Sequence, residues 1–395
     1  MIQHNNVILC GNSAPAEVSL SGKDIPEFGR DTNWSISKTT MRAGVSAGIE
    51  LIEVDNGLQT VSILATRGMG LWKIQREGVR FGWDSPVPQP VHPAFINLKS
   101  RNNLGWVEGF NELLCRCGLS FNGPPGNDEN APSGLESDIT LHGQIANLPA
   151  ESVSVEFETV ENQETIIIRG IVREASLFGP NLELQVEYRI GIGSDEIIIN
   201  DTVINRASRP AELEMLYHIN LGVPLLEAGA SWQAPLKMLA PRDARAAEDM
   251  ATTSTYLSPT AGYAEQVYFC ELMGNSNQQT AAMLKNSSAN LGFGIEFGLQ
   301  ALPYFTIWKN TQATEDGYCT GLEPSSSYPN FKGFERSQSR IVNLAAGESW
   351  QSNLTLRTLA NKEAVESFTQ KINAIQGDAK PIIHHTPQTS YSSDE

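Results

Sequence analysis

The chain has 395 residues, room for one large β domain or two ordinary ones, and its 33 glycines and 21 prolines suit many short strands joined by turns. A formal net charge of −17 sets aside nucleic acid and anionic membranes as partners, because a broad basic surface has little room to form. Five cysteines do not make a disulfide framework, and the first residues (MIQHNNVILCGNS) have neither a basic segment nor a long apolar core, so a cytoplasmic protein with buried free thiols and no membrane span is expected.

Residues 1–30 mix glycine, proline and charge and read as an N-terminal arm, irregular or an edge strand. From about Thr32 apolar residues fall at every second position, the period of a strand buried on one face. Segments 48–55 and 58–66 read as strands joined at Asn56-Gly57, a pair that tolerates the positive φ of a type I′ turn. Segments 71–75 and 79–83 form a second hairpin. Residues 84–93 (DSPVPQPVHP) are too proline-rich for a central strand; His92 within them is a loop histidine or a pocket-rim residue. Residues 97–119 fit a short helix or a strand, with Trp106, Phe110, Leu113 and Leu114 in the core. In a strand, Cys115 and Cys117 would face one side, with no second pair to complete a zinc site. Residues 121–137 read as a polar covering loop.

Strict alternation then marks strands at 153–158, 165–174, 184–190, 196–204 and 212–219, the last carrying His218. Residues 224–265 are less regular, and Pro241-Arg242-Asp243 is a candidate polar contact. The strand rhythm resumes at 266–273, 280–286, 291–297 and 304–308, with Glu323 following across a loop. Segments 339–343 and 349–358 close the pattern. Residues 361–377 switch to helical spacing, with Asn361 as N-cap and Gly377 as the stop. The polar, Pro/Ser-rich 378–395 read as a disordered tail. The expected fold is all-β: one large antiparallel β-sandwich over residues 1–377 with a C-terminal helix.

Three stretches carry titratable groups beside glycine or proline: LHGQIANLPA at 141–150 with His142, LYHINLGVP at 216–224 with His218, and GLEPSSSYP at 321–329 with Glu323. Two imidazoles and a carboxylate are the minimum kit for concerted acid–base chemistry. The order His-Gly, Tyr-His-x-Asn-x-Gly, Glu-Pro resembles the aldose 1-epimerases (galactose mutarotases), and more closely their bacterial DUF4432 branch. TRGMGLWKI at 66–74, GFNELLCRCGL at 109–119 and FTIWKN at 305–310 fit that branch in order, so the resemblance spans roughly 40–355.

The resemblance implies a galactose mutarotase-like supersandwich, a small-molecule sugar as partner and anomer interconversion without metal or cofactor. It implies Glu323 as base, His218 as acid, and His142 as the second histidine near the ring oxygen. Arg67 is the candidate for the family's sugar-pocket arginine. Trp308 and Lys309 are candidates to stack on and hydrogen-bond the sugar, and Asp243 and His92 are further candidate contacts. The branch often has arginine after His-Gly; Gln144 stands there instead, which argues against an anionic substrate. Two alternatives stay open: a non-catalytic carbohydrate-binding protein, and a metal-dependent sugar isomerase using the same three residues. Oligomeric state is not readable from the sequence.

Overall fold

The computed structural model describes residues 2–12, 14–131 and 137–392. Two large sheets face each other. The first has nine strands in the spatial order Ile2–Cys10, Ser152–Val160, Gln163–Ala175, Asn181–Gly191, Glu196–Asn205, Ser349–Leu359, Gly292–Gly298, Gln279–Lys285 and Ser231–Gln233. The second has fourteen strands. Its centre runs Gly70–Arg76, Leu114–Leu119, Ala211–Leu221, Cys319–Ser325, Tyr304–Asn310, Gln266–Leu272 and Leu236–Pro241. Strands with a two-residue period can bury only one row each, and Val153, Val155, Phe157, Leu184, Val186 and Tyr188 do so toward the other sheet.

Between the sheets lies a buried ion pair. Arg116 meets Asp201 through two bonds, Nε to Oδ2 at 2.5 Å and Nη2 to Oδ1 at 2.9 Å. Asp201 also accepts from the Tyr217 hydroxyl at 2.7 Å, and Arg116 donates to the Met69 carbonyl at 2.9 Å. Alternation along the LCRCGL strand turns Arg116 inward, so its neighbours Cys115 and Cys117 face the opposite side, beside His218 and His142.

The all-β expectation holds, and the predicted helix is present as Lys362–Gln376, capped by Asn361 accepting from Ala364 N at 2.8 Å. Some local readings are resolved between their alternatives and others change. The arm 1–30 supplies two strands, Ile2–Cys10 and Val18–Ser21, each paired at a sheet edge. The Asn56-Gly57 turn is longer than a two-residue hairpin: the strands end at Asp55 and resume at Thr60, and only Gly57 has positive φ. Asn56 instead is buried and donates to the Gly191 and Ser194 carbonyls. Residues 97–119 contain a short 3-10 segment, Gly105–Gly109, and then a strand, Leu114–Leu119. A short helix, Lys332–Ser337, goes unforeseen.

The tail is also placed differently. Ile382–Ile383 pairs in parallel with Leu236–Pro241, and the Tyr391 carbonyl accepts from Asn330 at 2.8 Å. Of the expected covering loop, 132–136 lie outside the described residues, as do 393–395 of the tail. Among the described residues no helix is long and apolar enough to cross a membrane.

Candidate active site

Glu323 lies inside the strand Cys319–Ser325, in the middle of the larger sheet, rather than in a loop after it. Pro324 follows it there, where a proline is not expected because it cannot donate to a ladder. The pairing shows how the strand accommodates it. Bridges to Ala211–Leu221 occur at Leu216–Ser325 and again at Ile219–Leu322, and the rungs between them are open. That register sets His218 opposite Glu323.

The two side chains meet, with His218 Nε2 3.2 Å from Glu323 Oε1. Both are nearly sealed, at 5 % and 2 % exposure. Gly321, two residues before Glu323 on the same face, makes space for the contact. A Cβ there would fall 2.4 Å from Glu323 Oε1 and 3.1 Å from His218 Cε1.

His142 joins them from the loop beneath. Its ring centroid is 5.7 Å from that of His218, and its Nδ1 donates to the Asn122 carbonyl at 2.6 Å. His142 takes a left-handed conformation (φ 56°), followed by Gly143 (φ 73°). A side chain at Gly143 would fall 2.2 Å from the Gly118 carbonyl oxygen, so glycine is required for this close turn. Aromatic rings wall the group. Trp106 stands edge-on to His142 at 4.7 Å, Phe110 lies 5.0 Å from His218, and Trp308 lies 5.5 Å from His218.

Electrostatics divide the three groups. Burial pushes the Glu323 carboxyl well above the usual carboxylate range, with His142 pulling the other way. Burial, reinforced by repulsion from His142, lowers His218 to about 3. Burial also opposes charge on His142, yet Cys117, the Asn122 carbonyl and Glu323 raise it to about 9. Burial thus disfavours charge on both His218 and Glu323, while His142, raised to about 9, is matched by Cys117, which burial pushes up but Cys115 and His142 together lower to about 6. Among the described residues no three His, Cys, Asp or Glu side chains are grouped to share a metal ion.

The structure brings His142, His218, Glu323 and Trp308 together and places the other candidates elsewhere. Lys309 neighbours Trp308 on one strand, so alternation sends it to the opposite face. There it donates to the carbonyls of Thr252, Thr253 and Thr255, the last at 2.7 Å. Arg67 is 1 % exposed and engaged by Glu112 at 2.5 Å, Asn147 at 2.8 Å and the Val91 and Gly109 carbonyls at 3.1 Å. It ties the loops that carry Trp106 and His142 together rather than reaching into the pocket. Asp243 caps the turn Ala244–Ala247 by accepting from Ala246 N at 2.8 Å. His92 caps Pro93–Phe95 in the same way, through Nδ1 at 3.1 Å. Gln144 is exposed and lines a separate cavity of about 100 Å³ with Ser120, Asp138, Glu174 and Lys332.

Sequence reasoning missed Glu265. Its carboxylate accepts from Trp308 Nε1 at 2.6 Å and from Arg242 at 3.2 Å, which fixes the indole beside His218. Nothing in the irregular 224–265 stretch announced that contact. Trp106 was assigned to the core; it is buried, and it also forms the wall against His142.

The large antiparallel sandwich is that of the galactose mutarotase-like class. The chain belongs to the DUF4432 family: residues 46–358 match the model described as "Domain of unknown function (DUF4432)". It is similar to a putative aldose 1-epimerase from Klebsiella pneumoniae subsp. pneumoniae MGH 78578, with 35% identity and TM-score 0.92 over 97% of this chain and 98% of that one. A galactose mutarotase-like protein from Clostridium acetobutylicum shares the fold at 16% identity and TM-score 0.53, over 82% of this chain and 98% of that one. So does a putative aldose 1-epimerase from Escherichia coli K12, at 12% identity and TM-score 0.52, over 79% of this chain and 99% of that one. No curated protein matches the sequence.

Proposed function

We propose that the protein is an aldose 1-epimerase that interconverts the α and β anomers of a sugar by acid–base ring opening and closure. The observation that supports this reading is the sealed His218–Glu323 contact of 3.2 Å beside His142. In this reading the transferable proton of the pair rests on the Glu323 carboxyl, because burial raises the carboxyl and lowers the imidazole. Moving that proton to the imidazole yields a carboxylate base and an imidazolium acid in a single step. Cationic His142 favours the carboxylate and disfavours the imidazolium, so it strengthens His218 as an acid.

The reaction then balances without any other group. Glu323 takes the proton of the anomeric hydroxyl, O1 becomes a carbonyl oxygen, the C1–O5 bond breaks, and O5 takes the proton from His218. The pair is back to carboxyl and neutral imidazole. Rotation about C1–C2 and the reverse steps give the other anomer. His142 lies near the ring oxygen and holds it, and Trp308, fixed by Glu265, offers its face to the sugar's C–H surface.

The test is anomeric exchange by NMR on freshly dissolved aldoses, with and without enzyme. Acceleration of at least one neutral aldose is expected. A wild type that binds such sugars but never accelerates exchange would favour a carbohydrate-binding module and end the epimerase reading.

A further inference from the structure

Beside Glu323 the sheet face carries two hydroxyls with no protein partner. Thr306 pairs directly with Glu323 across the strands Tyr304–Asn310 and Cys319–Ser325, so both side chains leave the sheet on the same face. Ser325 lies two residues beyond Glu323 and pairs with Tyr304, which puts it on that face as well. Thr306 is 1 % exposed and Ser325 0 %, and neither hydroxyl finds a hydrogen bond.

Thr140 and Thr311 are unpaired as well, whereas three hydroxyls close to Ser325 along the chain are paired. Ser326 accepts from Met215 N at 2.9 Å, Ser327 donates to Glu214 at 2.8 Å, and Thr320 donates to the Trp308 carbonyl at 2.7 Å. A buried hydroxyl left unpaired is costly, and one in a native fold calls for an occupant that pairs with it. Strands lie about 4.8 Å apart, comparable with the width of a pyranose ring. A sugar whose anomeric hydroxyl meets Glu323 therefore brings its other ring hydroxyls within reach of Thr306 and Ser325.

His142 is matched by Cys117, and the surrounding arginines and lysine indicate which sugars. Arg242 is engaged by Asp243 at 2.9 Å and Glu265 at 3.2 Å, and Arg67 and Lys309 are held by the partners described above. A phosphate or carboxylate on the substrate would have to break these pairs.

We infer that Thr306 and Ser325 are specificity-determining residues that read ring hydroxyls of a neutral aldose bound at Glu323. This rests on the epimerase reading for its substrate but concerns recognition, which binding reports independently. The experiment uses Thr306→Val and Ser325→Ala in the full chain. Anomeric exchange and ligand-induced melting shifts are measured on a panel of neutral aldoses and their monodeoxy analogues.

Each variant is expected to lose about tenfold in kcat/KM on the parent sugar. It should lose nothing further on the one deoxy sugar that lacks the hydroxyl it reads. Without ligand, both variants should melt no lower than the wild type, because an unpaired polar group has been removed. A lower melting point for both variants without ligand, or an equal loss on every deoxy sugar, would assign these hydroxyls to the scaffold and overturn the inference. If the wild type exchanges no anomer, the epimerase reading falls and binding alone decides. Melting shifts that weaken in the variants for the parent sugar only keep the inference, whereas unchanged shifts, or a wild type that binds no aldose, overturn it.

Discussion

His218 and Glu323 stand opposite each other on adjacent central strands, and the 3.2 Å between Nε2 and Oε1 is made possible by the missing side chain of Gly321. The contact sets the acid and the base of the proposed reaction side by side, with Glu323 Oε1 still free of a hydrogen bond. Removing either should disable both.

Glu323→Gln keeps the shape of the side chain but cannot accept a proton. Exchange should fall by about 10²–10⁴-fold, with sugar affinity little changed. His218→Asn should fall by a similar factor, and the double variant should be no worse than the poorer single one, because each group works only with the other. Exchange by NMR and affinity by calorimetry read this out. Full turnover in Glu323→Gln would remove it as the base.

Gly321→Ala places a methyl in the space the carboxyl uses and presses on the His218 ring as well. The backbone there is ordinary strand, so the fold should survive with an unchanged melting curve. Activity should drop by at least about tenfold, since a displacement of this size at reacting groups is costly. Melting and exchange measured on the same sample separate the two effects.

His142 gives a pH signature. Its folded pKa of about 9 lies above the ordinary 6.5, so the folded chain keeps a proton that the unfolded chain loses. The resulting stability is complete below about pH 6.5 and lost as pH rises through about 9. Cys117, lowered from 9.0 to about 6 against burial by Cys115 and His142, contributes with the opposite sign, so the melting-temperature gap between wild type and His142→Asn should stay nearly level between about pH 6.5 and 9. For Glu323 the sign is reversed. Its raised folded pKa costs stability as pH rises above 4.5, so Glu323→Gln should gain on the wild type with rising pH. Parallel curves for Glu323→Gln and the wild type, or a His142→Asn gap that changes steeply between about pH 6.5 and 9, would contradict these assignments.

The Arg116–Asp201 pair is sealed between the sheets, so breaking it strands a charge. Asp201→Ala should cost about 3–5 kcal/mol in denaturant unfolding. Replacing both partners with apolar residues should cost less than that single change. Lys309→Met should lower the melting point by freeing three carbonyls of the 252–255 loop while leaving exchange at wild-type level.

The sheets were legible because a two-residue period is local and survives in any window. The site was legible only as three fragments. Its assembly depends on register, and register between Ala211–Leu221 and Cys319–Ser325 is set by partners about a hundred residues apart. Pro324 hid a central strand, because its missing N–H reads as a break while the open rung that accommodates it is invisible in sequence. Trp308 and Lys309 were offered as joint ligands although strand alternation forbids both from facing one pocket. Arg67 looked available because its acid, Glu112, lies 45 positions away. The tail looked disordered by composition, yet two isoleucines suffice to extend the sheet edge.

All five cysteines are buried and unbridged, and they sample different depths of the molecule. Cys115 and Cys117 lie under His218 and His142, whereas Cys270 sits on the strand Gln266–Leu272 and Cys10 on the edge strand Ile2–Cys10. A thiol reagent can reach none of them without an opening of the chain, so each labelling rate is a clock for the local motion that exposes it. Sugar at the site should slow the clocks of Cys115 and Cys117 while leaving that of Cys10 running at its own pace, which gives a readout of occupancy for a proposed reaction that consumes nothing and releases nothing coloured.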